Sequence, residues 1–213
     1  MRFSPSRFNR HLANIGQRVA WRRSYACACL NLQTGNPDPK HALCGGKGRL
    51  WVDPVETVIG VTRQEVKPEM IAAGIYESGD MTATVPAASP MWAGAGRFDR
   101  ILLLNSADVF SQPYTRGAPN ERLLFTPASI DRCFWLHRTT REIVEGGVPV
   151  CDATGNLSWP NGGEPPPGTT YSLTGQRFDE YYILDSLPSD RNEHSGYPLP
   201  KRLQLRKFDL FNR

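Results

Sequence analysis

Apolar positions keep two different periods along this chain. Near the N-terminus Phe8, Leu12, Ile15 and Val19 recur at intervals of four, three and four, the stripe of an amphipathic helix. Ser4-Pro5 offers a start, with serine as cap and proline at the first helical position. The spacing predicts one helix over Ser6 to Arg23, with Arg7, Arg10, Arg18 and Arg22 mostly off the stripe. Such a helix either packs on its own domain or docks as an arm on another subunit, since a separate module follows it.

Beyond Trp51 the pieces become short and strand-like. They are Val52 to Val61, Thr82 to Val85, Phe98 to Leu104, Arg122 to Phe125, Cys133 to His137, Leu157 to Trp159, Thr169 to Leu173 and Tyr181 to Leu184. Arg138 to Val144 fits neither period clearly. Turn chemistry separates nearly every pair, as at Glu77-Ser78-Gly79-Asp80, Gly94-Ala95-Gly96, Gly146-Gly147 and Asp152-Ala153-Thr154-Gly155. Many short strands joined by Gly/Pro turns predict a barrel or a sandwich. Pro160 to Gly168 reads as a rigid loop, extended at its proline run. At the C-terminus Leu203 and Leu205 share one parity, Phe208 and Leu210 the other. A one-residue bulge at Arg206-Lys207 would bring all four to one face.

The expected fold is mainly β: a barrel- or sandwich-like body with an N-terminal helical arm and a small Cys/His module. The corresponding divisions are a basic helical arm (1–24), a Cys/His knuckle (25–50), a β-rich body (51–200) and a basic C-terminal strand (201–213). Composition agrees. Gly 19 and Pro 18 in 213 residues cut the chain too often for a bundle of long helices. No run approaches the roughly 18 apolar residues of a spanning helix, so no membrane is expected as a partner. Met1-Arg2-Phe3-Ser4-Pro5 lacks the apolar core of a signal peptide, which points to a cytoplasm where the cysteines stay reduced.

Charge adds a division that the net +4 conceals. Residues 1–49 carry nine basic side chains against Asp38 alone, and residues 201–213 carry five against Asp209, so the body between is acidic. Basic ends attract a nucleic acid or an acidic partner surface, or simply solvate a helix and a tail. Opposite charges on opposite ends also suit copies assembled head to tail.

The sharpest motif is Cys27-Ala28-Cys29, then eleven residues, then His41-Ala42-Leu43-Cys44-Gly45-Gly46-Lys47-Gly48. Two pairs of soft ligands across a turn-rich segment, Thr34 to Pro39, have the spacing of a four-coordinate zinc site. The glycines let the backbone curl past a thiolate, and Lys47 and Arg49 would offset its negative charge. Cys27, Cys29, His41 and Cys44 are therefore the expected ligands, and four protein ligands would make the site structural rather than catalytic. A loop that has lost its metal and kept its shape is the main competitor. Cys133 and Cys151 receive no role. Catalytic signatures are missing from the sequence: there is no Gly-x-Ser-x-Gly elbow, phosphate loop or His-Glu-x-x-His, and no small-molecule substrate is expected.

Cys27-x-Cys29 and His41-x-x-Cys44-Gly45-Gly46-Lys47-Gly48 ahead of a β domain resemble a group of tailed-bacteriophage structural proteins. The segments Leu157-Ser158-Trp159, Pro165-Pro166-Pro167-Gly168, Thr170-Tyr171-Ser172-Leu173 and Leu199-Pro200-Lys201-Arg202 are similar to their later portion. His41 stands where many such knuckles carry cysteine. The resemblance implies a non-enzymatic virion component, assembled in the host cytoplasm. It further implies a ring of copies of this chain in the neck, joining portal to tail, with a baseplate or tail-end position as the nearest alternative. Its partners would then be itself and portal, neck or tail proteins, met through Arg7, Arg10, Arg18 and Arg22 on the arm and Leu203, Leu205, Phe208 and Leu210 on the last strand. A rival class is a nucleic-acid-binding protein with the knuckle and the arginine-rich helix as its reader. A metal hydrolase would need an open coordination position that these ligands do not leave.

Overall fold

A computed structural model of the protein describes residues 4–62, 80–187, 193–194 and 196–208. In chain order come α1 (Pro5–Ile15), β1 (Gln17–Arg22), β2 (Ser24–Ala26), β3 (Arg49–Trp51), β4 (Val55–Thr62), β5 (Met81–Val85) and the one-turn α2 (Met91–Gly94). There follow β6 (Arg100–Thr115), β7 (Pro127–Leu136), β8 (Ile143–Glu145), β9 (Val150–Cys151), β10 (Leu157–Ser158) and β11 (Thr170–Leu187). The last are β12 (Glu193–His194), β13 (Tyr197–Pro198) and β14 (Lys201–Lys207). The fold is mainly β, as the sequence pattern predicts, with a closed six-stranded barrel, a short N-terminal helix and a Cys/His cluster. Among the described residues no helix is long and apolar enough to cross a membrane.

The chain forms two compact units, residues 1–105 with 180–213, and residues 106–179. The long strands β6 and β11 contribute to both. In the first unit the barrel runs β14-β5-β4-β1-β6-β11 and closes by β11 pairing back to β14. Closure leaves none of these six strands with a bare edge. Alternate residues point inward: Val19 and Trp21 from β1, Ile59 from β4, Ala83 and Val85 from β5, and Ile101 and Leu103 from β6. Tyr181 and Ile183 from β11 and Leu203 and Leu205 from β14 complete the layer, and Met91 of α2 joins them.

Two sequence expectations are corrected here. The single helix over Ser6 to Arg23 ends at Ile15, and Gln17–Arg22 is a barrel strand, paired to β4 (Val19↔Thr57) and to β6 (Val19↔Leu103). Val19 satisfies both the helical stripe and the period-two alternation Val19-Trp21, and a place between two sheet neighbours decides for the strand. Pro5 does occupy the first turn, but the Ser4 hydroxyl bonds Ser6 Oγ at 3.2 Å instead of capping the backbone. Leu12 anchors α1 on β4, where Gly60 provides the space: a Cβ there would overlap Leu12 Cδ1. Phe8 and Ile15 stay exposed.

The second correction concerns the C-terminal strand. The irregularity falls on β11, between Ile183 and Asp185, rather than at Arg206-Lys207. Phe208 has no need to reach the interior side, because its ring is covered by the Arg100 guanidinium at 3.8 Å. Arg206 is held by both carboxylate oxygens of buried Asp80, at 3.1 and 3.0 Å.

In the second unit β11 pairs β7 (Tyr171↔Trp135, Leu173↔Cys133), and β7 pairs β8. Phe110, Leu123, Cys133, Tyr171 and Leu173 form its core. The pieces Thr169 to Leu173 and Tyr181 to Leu184 are one strand, whose polar middle carries register shifts at Thr174/Gly175 and Gln176/Arg177. The Tyr171 hydroxyl donates to Glu121 at 2.7 Å, Gly117 N–H to the same carboxylate at 2.6 Å, and Arg116 at 3.1 Å. Burial pushes the Glu121 carboxyl up, but these three donors outweigh it and hold it below the usual range.

Candidate metal centre

Strands β2 and β3 form a short antiparallel ladder, Ser24↔Trp51, Tyr25↔Leu50 and Ala26↔Arg49. Residues 27–48 are the excursion between them, so the ladder fixes both ends of the knuckle. Cys27 N–H donates to Gly48 O at 2.9 Å, extending that closure by one step. The loop is then built from tight turns. Asn31 N–H donates to Asn36 O at 2.9 Å and Gly35 N–H to Asn31 O at 2.7 Å, while Asn31 Oδ1 accepts from Gln33 and Thr34 N–H. A second set of turns follows: His41 N–H to Asp38 O, Gly45 N–H to His41 O and Lys47 N–H to Cys44 O. Gly46 has φ +77° and lies against Pro39 O, where a Cβ would come within 2.7 Å, so glycine is needed there on both counts.

These turns bring Cys27, Cys29, His41 and Cys44 together, with all four ligand atoms within 4.8 Å of one another. Cys27 Sγ stands 3.5 Å from His41 Nδ1, Cys29 Sγ 3.5 Å from Cys44 Sγ, and Cys44 Sγ 3.6 Å from His41 Nδ1. Ligands at about 2.0–2.3 Å from a shared tetrahedral ion stand about 3.4–3.8 Å apart. The three short separations already match, and the longest needs a modest contraction. Gly48 N–H donates to Cys44 Sγ at 3.4 Å. Burial works against ionisation of Cys44, but the Gly48 amide, His41 and the two neighbouring cysteines outweigh it and lower the thiol to about 6. Burial, then the side chains of Cys44 and Cys27, push Cys29 up to about 11. One thiolate is thus favoured in the cluster on its own, and a second is opposed until a cation arrives. Three sulfurs and one imidazole can hold a metal ion, and they fill four positions.

The remaining site expectations are placed as follows. Arg7 and Arg10 are exposed on α1. Arg18, on β1, is exposed and ion-paired to Glu56 of β4 at 2.6 Å. Arg22 is half-buried on the same strand. Leu203 and Leu205 belong to the barrel interior, because β14 extends the chain's own sheet. Phe208 is half-buried under Arg100, and Leu210 lies outside the described residues.

One organising residue escaped sequence reasoning. Asp99 is almost fully buried and accepts from Trp21 Nε1 at 2.8 Å, Ser24 N–H at 2.8 Å and Gly96 N–H at 2.9 Å. It ties the start of the knuckle's ladder to the loop before β6. Its partners are 78, 75 and 3 residues away. Only the short Gly96-to-Asp99 spacing was available as a signal. No protein-family model matches the chain, and no curated protein matches it at a significant level.

Proposed function

We propose that the chain is a non-catalytic structural component of a tailed-phage virion, a ring-forming neck protein between portal and tail, and that its knuckle holds one structural zinc ion. The observation that carries this reading is the convergence of Cys27, Cys29, His41 and Cys44 on one point in a loop clamped beside a closed β-barrel. That is the combination for which the sequence resembles such virion proteins. Zinc suits a thiolate-rich set with one imidazole, and a filled four-ligand shell leaves no position for a catalytic water. Helix α1 supplies a surface for a neighbour: Arg7 and Arg10 are exposed beside exposed Phe8 and Ile15.

Native mass spectrometry of the purified full chain tests assembly. A closed oligomer of uniform size is expected, alone or on addition of the portal complex. A monomer that stays monomeric at high concentration and does not bind portal or tail particles would remove the neck reading. Binding to tail tips but not to portals would move the protein to the baseplate.

A further inference from the structure

Phe98 is an aromatic residue in the left-handed region, with φ +71°. That conformation is strained for a bulky side chain and persists only where the surroundings impose it. Here they do. Phe98 N–H donates to Ile183 O at 2.8 Å, and Phe98 O accepts from Trp51 Nε1 at 3.1 Å. The ring stacks at 14° to Tyr182, with centroids 6.4 Å apart. The result is a fixed platform, and two cations use it. The Arg49 guanidinium lies 3.9 Å from the ring centroid and that of Arg97 lies 4.9 Å from the same centroid.

Neither guanidinium has a hydrogen bond or ion pair among the described residues. Burial first, and then the like charge of Arg97, press the Arg49 guanidinium below its ordinary range, with Asp99 acting in the opposite sense. The carboxylate that acts on Arg49 is already committed, because Asp99 is enclosed by three N–H donors. Two like charges are thus held side by side on one ring, with no protein partner for their N–H edges among the described residues. A guanidinium stacked on an aromatic ring keeps a fixed plane, which favours two-pronged hydrogen bonding to an oxyanion.

We propose that Arg49 and Arg97, seated on Phe98, form a binding site for the phosphate backbone of a nucleic-acid strand. A repeating polyanion fits better than a single small anion, because a second arginine-on-aromatic pair stands on the adjoining strand. Arg23 lies 5.4 Å over Tyr25, whose strand pairs with that of Arg49. The sequence leading up to Arg49 is also strongly basic, nine cations to one carboxylate in residues 1–49. Phosphodiesters offer charge at each unit of the strand, whereas an acidic protein surface offers it only where a side chain happens to stand. The inference does not depend on the virion reading, since it is read by oligonucleotide binding and not by assembly.

Fluorescence anisotropy with a labelled single-stranded DNA oligonucleotide, titrated with the full chain at several salt concentrations, tests it. The double variant Arg49→Gln, Arg97→Gln is expected to weaken binding and to lower the slope of log affinity against log salt by about 1.4, two contacts at about 0.7 each. Arg18→Gln, whose guanidinium is paired to Glu56, should leave that slope nearly unchanged. Phe98→Gly keeps the left-handed backbone without strain but removes the platform, so it should lose affinity while its thermal midpoint is maintained. Wild-type affinity and salt slope in either the double variant or Phe98→Gly would overturn the proposal. So would binding of a poly-glutamate peptide, dependent on Arg49 and Arg97, with no binding of the oligonucleotide; the site would then serve an acidic protein.

Discussion

Residues close in sequence explain the knuckle, and residues far apart explain the rest of the polar interior. Each pair, Cys27-Cys29 and His41-Cys44, needs only a tight turn to converge, so the Cys/His cluster was legible from spacing alone. Replacing one ligand should therefore act locally. If the knuckle holds zinc as proposed, Cys29→Ser is expected to lower the zinc content from near one per chain, measured by elemental analysis, and to speed amide exchange within residues 25–50. Exchange in β1, β4 and β6 should stay slow. A metal-free protein with a well-protected knuckle would contradict this. Asp99 and Glu121 were illegible for the opposite reason: their main donors, Trp21 at 78 residues and Tyr171 at 50, meet them only after the strands have paired. Glu121 carries a pH dependence whose sign follows from its surroundings. Its folded value lies below the ordinary carboxylate value of about 4.3, so its contribution is fully present above that pH and fades as pH falls through the folded value. Burial first, and then the hydrogen bond to Glu121, raise the Tyr171 hydroxyl, so its contribution is present below about pH 10 and fades as pH rises. Urea midpoints of the 106–179 unit, followed by hydrogen exchange, should fall at both extremes. Glu121→Gln should flatten the acid limb and Tyr171→Phe the alkaline one.

At the scale of elements, the β class and most strand positions followed from short alternating runs between Gly/Pro turns, but strand lengths did not. Strand β11 looked like two pieces because residues 174–180 are polar apart from Gly175 and Phe178, and the register shifts at Thr174/Gly175 and Gln176/Arg177 are what allow such a stretch to continue the ladder. The N-terminal segment was ambiguous in the other direction. Ile15 and Val19 keep a helical interval, yet the chain changes to a strand between them, at Gly16, which lies against Val58 and Ile59. This boundary has a mechanical consequence. Removing residues 1–15 takes away α1 and its Leu12 contact but leaves all six barrel strands, so a folded protein with a modestly lower thermal midpoint is expected. Removing residues 1–23 also deletes β1 from between β4 and β6 and opens the barrel, and the product should lack a cooperative melt. Deleting residues 201–213 should do the same, because β14 bridges β5 and β11. Within that strand Leu205→Ala, at a fully buried position, should cost about 2–5 kcal/mol in chemical denaturation. A folded product from the 1–23 or 201–213 deletion would mean that the barrel does not need that strand to close.

For the whole molecule, the uneven charge was legible from counting, but which charges are already neutralised inside the chain was not, since that depends on register. Arg18 is matched by Glu56 and Arg206 by Asp80, so these basic residues face carboxylates of their own barrel. Arg7 and Arg10 remain exposed on α1, alongside Phe8 and Ile15. If copies assemble as proposed, α1 is where a neighbour gains the most, because it offers apolar area and charge on one short element. The two kinds of residue should contribute differently. Exposed ion pairs are each worth about 0–1 kcal/mol, too little to hold a ring, but they orient partners during approach. Burial of an apolar side chain contributes about 1.5–3 kcal/mol and acts on dissociation. Ile15→Asp should therefore abolish the oligomer in native mass spectrometry while leaving the barrel's thermal midpoint near that of the wild type. The pair Arg7→Gln, Arg10→Gln should slow association and make its rate less sensitive to salt, with the dissociation rate little changed. A double arginine variant that falls apart while Ile15→Asp stays assembled would mean that charge, and not apolar burial, holds the subunits together.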